Sequence, residues 1–220
     1  MKQYILWPDD AQKDNRIVMR YIHKKGREPE FKPLSRYSDF VCADCHRISY
    51  DEIFASSFPE SATKIHAKGD LLITDDQFWC VRQNVVNLFR SESIDGINFS
   101  RIAETEWYVV NITIRVPVAG DVYRDVGGFC PRCGKSTEII GCVLTENQFL
   151  VQLPKRSAFT TLQFREQSDR DLFVDQEVID LMIGGNIKGG TATLIPSTQE
   201  SEEISKAQRP GEKIATGVLF

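Results

Sequence analysis

Several short runs of mainly apolar residues are bounded by polar or glycine-containing segments, which is the pattern of β-strands. The clearest is Trp107–Val116, which is rich in β-branched and aromatic residues. Shorter stretches of this kind are Gln3–Trp7, Asp70–Ile73 and Thr191–Ile195. Polar or glycine-containing segments separate them, so the pattern predicts short strands joined by turns.

Two other stretches have the apolar spacing of helices that lie on a core. Thr74, with Gln77 three residues later, predicts a helix that begins with a capping box. A second helix is predicted over Asp171–Ile183, and a glycine-containing turn and a short strand follow each helix. The apolar stripes of the two helices are Val81, Val85, Leu88 and Phe89 in the first, and Val174, Val178, Leu181 and Met182 in the second.

The two helical stretches are similar to each other in sequence. Residues 81–102 align without a gap on residues 174–195, with seven identical pairs in 22 positions. This repeat predicts an α+β fold built as a duplicated module, with antiparallel strands and one helix in each half. The identical pairs are Val81/Val174, Gln83/Gln176, Val85/Val178, Leu88/Leu181, Ile94/Ile187, Gly96/Gly189 and Ile102/Ile195.

The repeat and the local composition together predict four segments. Residues 1–40 hold N-terminal strands and a basic turn, residues 41–110 the first repeat and residues 111–196 the second. Residues 197–220 are rich in Ser, Glu, Lys and Gln, which bury too little apolar surface to offset the entropy of ordering. We therefore expect a mobile tail.

Each predicted repeat carries one Cys-x-x-Cys motif. Cys42 and Cys45 form the first motif, and Cys130 and Cys133 form the second, 88 positions later. Two thiolates in one tight turn can bind the same metal ion, and four thiolates complete a tetrahedral zinc site. The spacing predicts one structural Zn²⁺ that takes two ligands from each half and holds the halves together.

Other interpretations of these cysteines stay open, including cysteines that bind no metal. Each motif could form a disulfide or a redox-active dithiol, although the reducing cytosol disfavours the first and the Gly-Lys that follows Cys133 disfavours the second. His46 could replace one cysteine as a ligand. Cys80 and Cys142 have no second cysteine at metal spacing, so we expect them to be small buried apolar residues.

Composition narrows the possible functions. The chain has 220 residues, of which 41% are hydrophobic, so it can bury a core. Its apolar runs are too short to span a membrane, and its first residues lack the apolar region of a secretion signal, which predicts a cytoplasmic location. The net charge of −4 disfavours general nucleic-acid binding and is compatible with docking a basic protein.

Motifs for catalysis are missing from the sequence. It contains no Gly-x-Ser-x-Gly, His-Glu-x-x-His or Gly-x-Gly-x-x-Gly, and it has only three histidines for acid–base chemistry. We therefore expect a protein that is not an enzyme.

With its two Cys-x-x-Cys motifs and its helix repeat, the chain resembles the double-CxxCG motif family of bacterial proteins over roughly residues 40–195. The family's cysteines correspond to Cys42, Cys45, Cys130 and Cys133, and its second glycine corresponds to Gly134. The first glycine is replaced by His46. The resemblance implies an immunity protein that binds and neutralises a cognate toxin encoded nearby.

The alternative is that the chain is a zinc-ribbon protein that binds nucleic acid or has a regulatory role. It would use basic side chains around the motifs, with aromatic side chains for base stacking. The candidates are Lys24, Lys25, Arg27, Arg47 and Arg132, with Tyr50 and Phe129.

Overall fold

The computed structural model describes residues 2–8, 17, 19–22, 30–55, 65–103, 105–119, 123–126, 128–135, 139–142, 144–153, 155–161, 171–197 and 217–219. Fourteen strands, three α-helices and two 3₁₀ helices lie in these ranges. The strands are β1 (Gln3–Pro8), β2 (Met19–Ile22), β3 (Glu30–Pro33), β4 (Leu71–Ile73), β5 (Trp79–Arg82), β6 (Ile97–Arg101), β7 (Trp107–Ile112), β8 (Arg115–Val116), β9 (Tyr123–Val126), β10 (Ile139–Cys142), β11 (Ala158–Thr161), β12 (Leu172–Asp175), β13 (Gly190–Leu194) and β14 (Gly217–Leu219). The α-helices are α1 (Tyr50–Ala55), α2 (Gln83–Ser91) and α3 (Gln176–Gly184), and the 3₁₀ helices are Ser35–Phe40 and Glu146–Gln148.

Two larger sheets organise the fold, which is α+β as predicted. The first has the strand order β4-β5-β7-β6, and the second has the order β14-β13-β1-β12-β11-β8. All pairs in these sheets are antiparallel except β8 with β11. Strands β2 and β3 form one separate hairpin, and β9 and β10 form another.

The central strands of the two sheets have the same order and register. Strand β5 leads into α2 and then β6, and β7 pairs between β5 and β6. In the second sheet β12, α3 and β13 follow the same path, and β1 takes the place of β7. Val81 lies opposite Tyr108 just as Val174 lies opposite Tyr4. This is the topology that a duplicated module would have, while the duplication itself stays a prediction.

The predicted helix starts are wrong in both halves. Helix α2 begins at Gln83 rather than Thr74, and α3 begins at Gln176 rather than Asp171. Val81 and Val174 are the cause, because they lie on strands and point into the same core as the helices that follow. A strand followed at once by a helix thus reproduces helical spacing.

Thr74 has a different role from the predicted cap. Its hydroxyl accepts from the Phe78 N–H at 2.9 Å and donates to an Asp76 carboxylate oxygen at 2.6 Å, which shapes the turn between β4 and β5. The stretch predicted as one strand over Trp107–Val116 is also divided. Its first part, β7, belongs to the first sheet, and its last two residues, β8, pair with β11 of the second.

One core lies between the two sheets. It combines residues of both sheets with the inner faces of α2 and α3, including Val85, Phe89, Val178 and Met182. Backbone hydrogen bonds also join the halves. The Asp70 N–H donates to the Lys188 oxygen at 2.7 Å, and the Asp95 N–H donates to the Arg156 oxygen at 3.0 Å.

The outer faces of the two sheets are covered by different residues. The outer face of the first sheet packs against α1 and the turn of the first Cys-x-x-Cys motif, with Tyr37, Ile48 and Ile53 in that cluster. A smaller cluster with Phe159 and Phe173 covers the second sheet. None of the helices in the described part of the chain has the length and apolar composition needed to cross a membrane.

The division of the chain into four segments stays a prediction, and two strands pair across the predicted boundaries. Strand β1, which we place in the N-terminal segment, lies in the middle of the second sheet. Strand β14, in the predicted tail, pairs with β13, while residues 198–216 are outside the described residues.

Candidate metal centre

The two Cys-x-x-Cys motifs form turns with the same backbone hydrogen bonds. In the first, the Cys42 N–H donates to the Arg47 oxygen at 2.9 Å and the His46 N–H donates to the Cys42 oxygen at 2.9 Å. In the second, the Cys130 N–H donates to the Lys135 oxygen at 2.9 Å and the Gly134 N–H donates to the Cys130 oxygen at 2.8 Å. Each turn therefore presents its two sulfur atoms in the same way.

The residue after each turn adopts a left-handed backbone conformation. Gly134 has φ = +70°, which glycine adopts without steric cost, and His46 has φ = +57° at the equivalent position. His46 thus reproduces the turn that glycine forms in the second motif. The strain of a non-glycine residue with positive φ is tolerated in this turn.

The turns bring the four predicted cysteines together. The Sγ atoms of Cys42 and Cys130 are 3.8 Å apart, those of Cys45 and Cys133 are 3.5 Å apart, and all four lie within 4.8 Å of one another. A tetrahedron with zinc–sulfur bonds of about 2.3 Å has edges of about 3.8 Å. The arrangement is therefore one that can hold a single metal ion.

The alternatives fit these positions less well. All four cysteines are free, so neither motif forms a disulfide, and the two sulfur–sulfur distances between the motifs are also much longer than the roughly 2.05 Å of a disulfide. Within the described ranges, these four cysteines form the one group able to hold a metal ion, and His46 is outside it. A set of four cysteines is typical of structural zinc sites.

The thiols differ in how readily they ionise. The backbone N–H groups of Cys45 and Asp44 lower the pKa of Cys42 to about 6, because they donate hydrogen bonds to its sulfur. Burial raises the pKa of Cys45 to about 12. A bound cation would favour the thiolate form of every ligand, since metal binding releases thiol protons.

Two further contacts join the motifs. The buried Lys135 side chain donates from Nζ to the Ile48 oxygen at 3.1 Å and to the Ser49 hydroxyl at 3.0 Å. At the turn tips, Arg132 lies 3.4 Å from Asp44, with both side chains exposed. Our sequence interpretation missed the role of Lys135, and no local signal marks a lysine whose partners are 86 and 87 positions away.

The surroundings of the two turns differ. Val41 and Ile48 flank the first turn and are buried in the cluster on the first sheet. Phe129, which precedes the second turn, is 66% exposed. The first turn is therefore flanked on both sides by residues of the folded core, while the second follows an exposed ring, although Cys130 itself is buried.

The residues considered for nucleic-acid binding differ in how far they are exposed to solvent. Tyr50 is buried, and its hydroxyl donates to the Asp76 backbone oxygen, so its ring is not available for stacking. Phe129 and Arg132 are exposed, whereas residues 24, 25 and 27 are outside the described residues. Cys80 is buried as predicted, and its burial raises its pKa; the Cys142 side chain is outside the description.

Comparison with known proteins adds no family to this geometry. No family model, no curated protein and no solved structure matches the chain.

Proposed function

We propose that the chain is a non-catalytic immunity protein that binds and neutralises a cognate bacterial toxin, on a scaffold held together by one structural Zn²⁺. The observation that supports this most is the closed set of four cysteines. Four protein ligands fill the tetrahedral shell of zinc and leave no position for water or substrate, whereas catalytic zinc keeps one open.

The toxin-binding part of the proposal rests on the resemblance to the double-CxxCG motif family and on charge. Both motifs of that resemblance form equivalent turns, with His46 in the glycine conformation. The net charge of −4 would accelerate encounter with a basic toxin domain. We propose that the protein acts in the cytoplasm, where its thiols stay reduced and able to bind zinc.

Nucleic-acid binding is the second candidate function. The exposed ring of Phe129 and the exposed guanidinium of Arg132, three positions later, favour it, because an aromatic ring can stack on a base and a guanidinium can contact a phosphate. The buried ring of Tyr50 and the ion pair between Arg132 and Asp44 count against it.

Calorimetric titration with the protein encoded by the neighbouring gene tests the proposal, together with co-expression of the two proteins in a sensitive host. We expect one-to-one binding, rescue of growth, and no rescue from an unrelated toxin. Absence of both binding and rescue, with salt-dependent binding to DNA or RNA instead, would favour the second candidate function.

A further inference from the structure

A cleft of about 360 Å³ opens where the start of β1 meets the segment that follows the 3₁₀ helix Glu146–Gln148. This size is at the lower end of the range for ligand pockets, roughly 300–1,000 Å³. We call it the β1 cleft. Its lining residues are Gln3, Glu146, Phe149, Val151, Gln152 and Leu153.

Gln3 lines the β1 cleft, and its side chain carries a buried acceptor without a partner among the described residues. Its side chain is buried, with 2% of the residue exposed, and its Oε1 has no hydrogen-bond partner among the described residues. The sheet fixes its backbone, because Gln3 lies opposite Asp175 and the Ile195 N–H donates to its oxygen at 2.8 Å. A buried acceptor without a partner is a position where a donor from a ligand would be favourable.

Among the described residues that line the β1 cleft, Glu146 is the one ionisable residue and none is basic. Its carboxylate makes no ion pair within the described ranges. The cleft therefore favours a cation over an anion.

The rest of the β1 cleft is an apolar wall. The Phe149 ring packs edge-on against Phe159 and Phe173, with ring centroids 5.7 and 6.5 Å apart, so its position is fixed. Leu150 and Val151 beside it are 61% and 47% exposed. Large exposed apolar side chains beside a cleft with polar lining residues are typical of a binding surface rather than of a solvated loop.

We propose that the β1 cleft receives an arginine side chain of a protein partner. A guanidinium carries several N–H donors in one plane, so it can donate to Gln3 Oε1 and to the Glu146 carboxylate together. Its aliphatic stem would lie along Val151 and Leu153, and its flat face could stack on Phe149. An apolar side chain would leave Gln3 unsatisfied, and an acidic one would be repelled by Glu146.

The proposal deepens the proposed function and rests on it only in requiring a protein partner. Short peptides test the cleft without the toxin. The probes are acetyl-Ala-Arg-Ala-amide and the same peptide with citrulline or lysine in the centre. Citrulline keeps the shape and most donors of arginine but has no charge.

Binding is measured by NMR titration, following the backbone amide signals of the residues that line the cleft, which are present in every variant. We expect the arginine peptide to bind about tenfold or more tightly than the citrulline peptide, because hydrogen bonds between charged groups are the stronger ones. The lysine peptide should fall between them. Glu146→Gln and Gln3→Met should each weaken binding of the arginine peptide about tenfold.

A matched variant separates the cleft from general effects. The matched control Glu52→Gln removes an exposed carboxylate from α1, which does not line the cleft, so it should change affinity less than twofold. Thermal unfolding checks that each variant is folded, and Glu146→Gln keeps the test valid if Gln3→Met does not fold.

Equal binding of the arginine and citrulline peptides, or no loss of affinity in folded Glu146→Gln, would overturn the proposal. Arginine-peptide binding without growth rescue would support the cleft and contradict immunity. Rescue that is unchanged by Glu146→Gln, with no peptide binding, would support immunity and contradict the cleft.

Discussion

The two sheets share a central topology but differ in what covers their outer faces. The first is sealed by α1, the 3₁₀ helix Ser35–Phe40 and the first cysteine turn. The second carries a smaller apolar cluster and the open β1 cleft. Elements that pack the common core have the same register in both sheets, while the outer faces differ.

This difference separates stability from recognition within one fold. The first cysteine turn belongs to the sealed face, and its two cysteines lie together with those of the second turn in an arrangement that suits a structural ion with no open coordination position. The open face offers a buried unsatisfied acceptor, an unpaired carboxylate within the described ranges, and exposed apolar side chains. We therefore expect substitutions on the first face to affect folding and those on the second to affect binding.

Loss of a cysteine should have the largest effect. We expect Cys42→Ser and Cys133→Ser each to abolish zinc binding and to unfold the protein, because structural zinc contributes on the order of 10 kcal/mol, comparable with the whole stability of a domain. Metal analysis of the purified wild-type protein should find one zinc per chain, and circular dichroism should detect the unfolding.

Cys80→Ala is the control, since Cys80 is buried away from the four-cysteine group and should leave zinc content unchanged. Two zinc ions per chain, or a variant of one turn that keeps half of the metal, would contradict a shared site.

Glycine substitutions at the contact between the halves should come next. Gly96 and Gly189 both have φ = +88°; a Cβ on Gly96 would overlap the Ala158 oxygen, and one on Gly189 would lie 2.6 Å from the Gly69 Cα. Gly96→Ala and Gly189→Ala should each cost about 3 kcal/mol or more, because backbone strain and overlap add. Urea unfolding measures this cost.

Gly184→Ala is the matched control, because a Cβ there meets nothing within 4 Å and φ is not positive. It should change stability by about 1 kcal/mol or less. An equal effect at all three glycines would show that the contact between the halves is not tight.

Local sequence predicted the cysteine group well and the helix starts poorly, for physical reasons. Ligand spacing in a tight turn is a local property, so Cys42 and Cys45 are recognisable without knowing the fold. The junction at Arg82 is not, since strand and helix residues face one core there.

Nonlocal features left even less signal in the sequence. Strand β1 pairs with β12 and β13 from the far end of the chain, so its place in the second sheet depends on contacts between distant residues. A glutamine such as Gln3 is usually exposed, and only the sheet pairing accounts for its burial.

The helix starts offer a smaller contrast between the halves. The Asp175 carboxylate accepts from the Val178 N–H at 3.0 Å and the Arg156 N–H at 2.6 Å, whereas Arg82 at the equivalent position makes no side-chain cap. Asp175→Ala should cost about 2 kcal/mol, because it leaves two buried or half-buried donors without a partner.

Glu177→Ala in the same turn is the comparison for Asp175→Ala. Its exposed ion pair with Arg156 should contribute less than about 1 kcal/mol. Comparable losses of unfolding free energy in the two variants would mean that the cap is not the source of the effect.

Each half contains a hydrogen-bonded network of three side chains, and the two networks are equivalent in position. The Tyr108 hydroxyl donates to Gln83 Oε1, and the Tyr4 hydroxyl donates to Gln176 Oε1. Tyr108→Phe and Tyr4→Phe should each cost about 1 kcal/mol in urea unfolding. A loss of unfolding free energy in only one of the two variants would contradict the equivalence of the two networks.

The two networks differ in their third residue, because Gln83 donates to Asn87 whereas Gln176 donates to Asp180, both at 2.8 Å. Burial, and then the charge of Asp180, raises the pKa of Tyr4 above 10.0. An acid whose pKa is raised on folding stabilises the fold below its unfolded pKa, so this contribution should be lost as the pH rises above about 10.

Asp180→Asn makes the hydrogen-bonded network of the second half like that of the first and should lower the pKa of Tyr4, measured by ultraviolet titration of tyrosine. The pKa should stay above its ordinary value, because burial is the larger cause, and an unchanged pKa would show that Asp180 does not act on Tyr4.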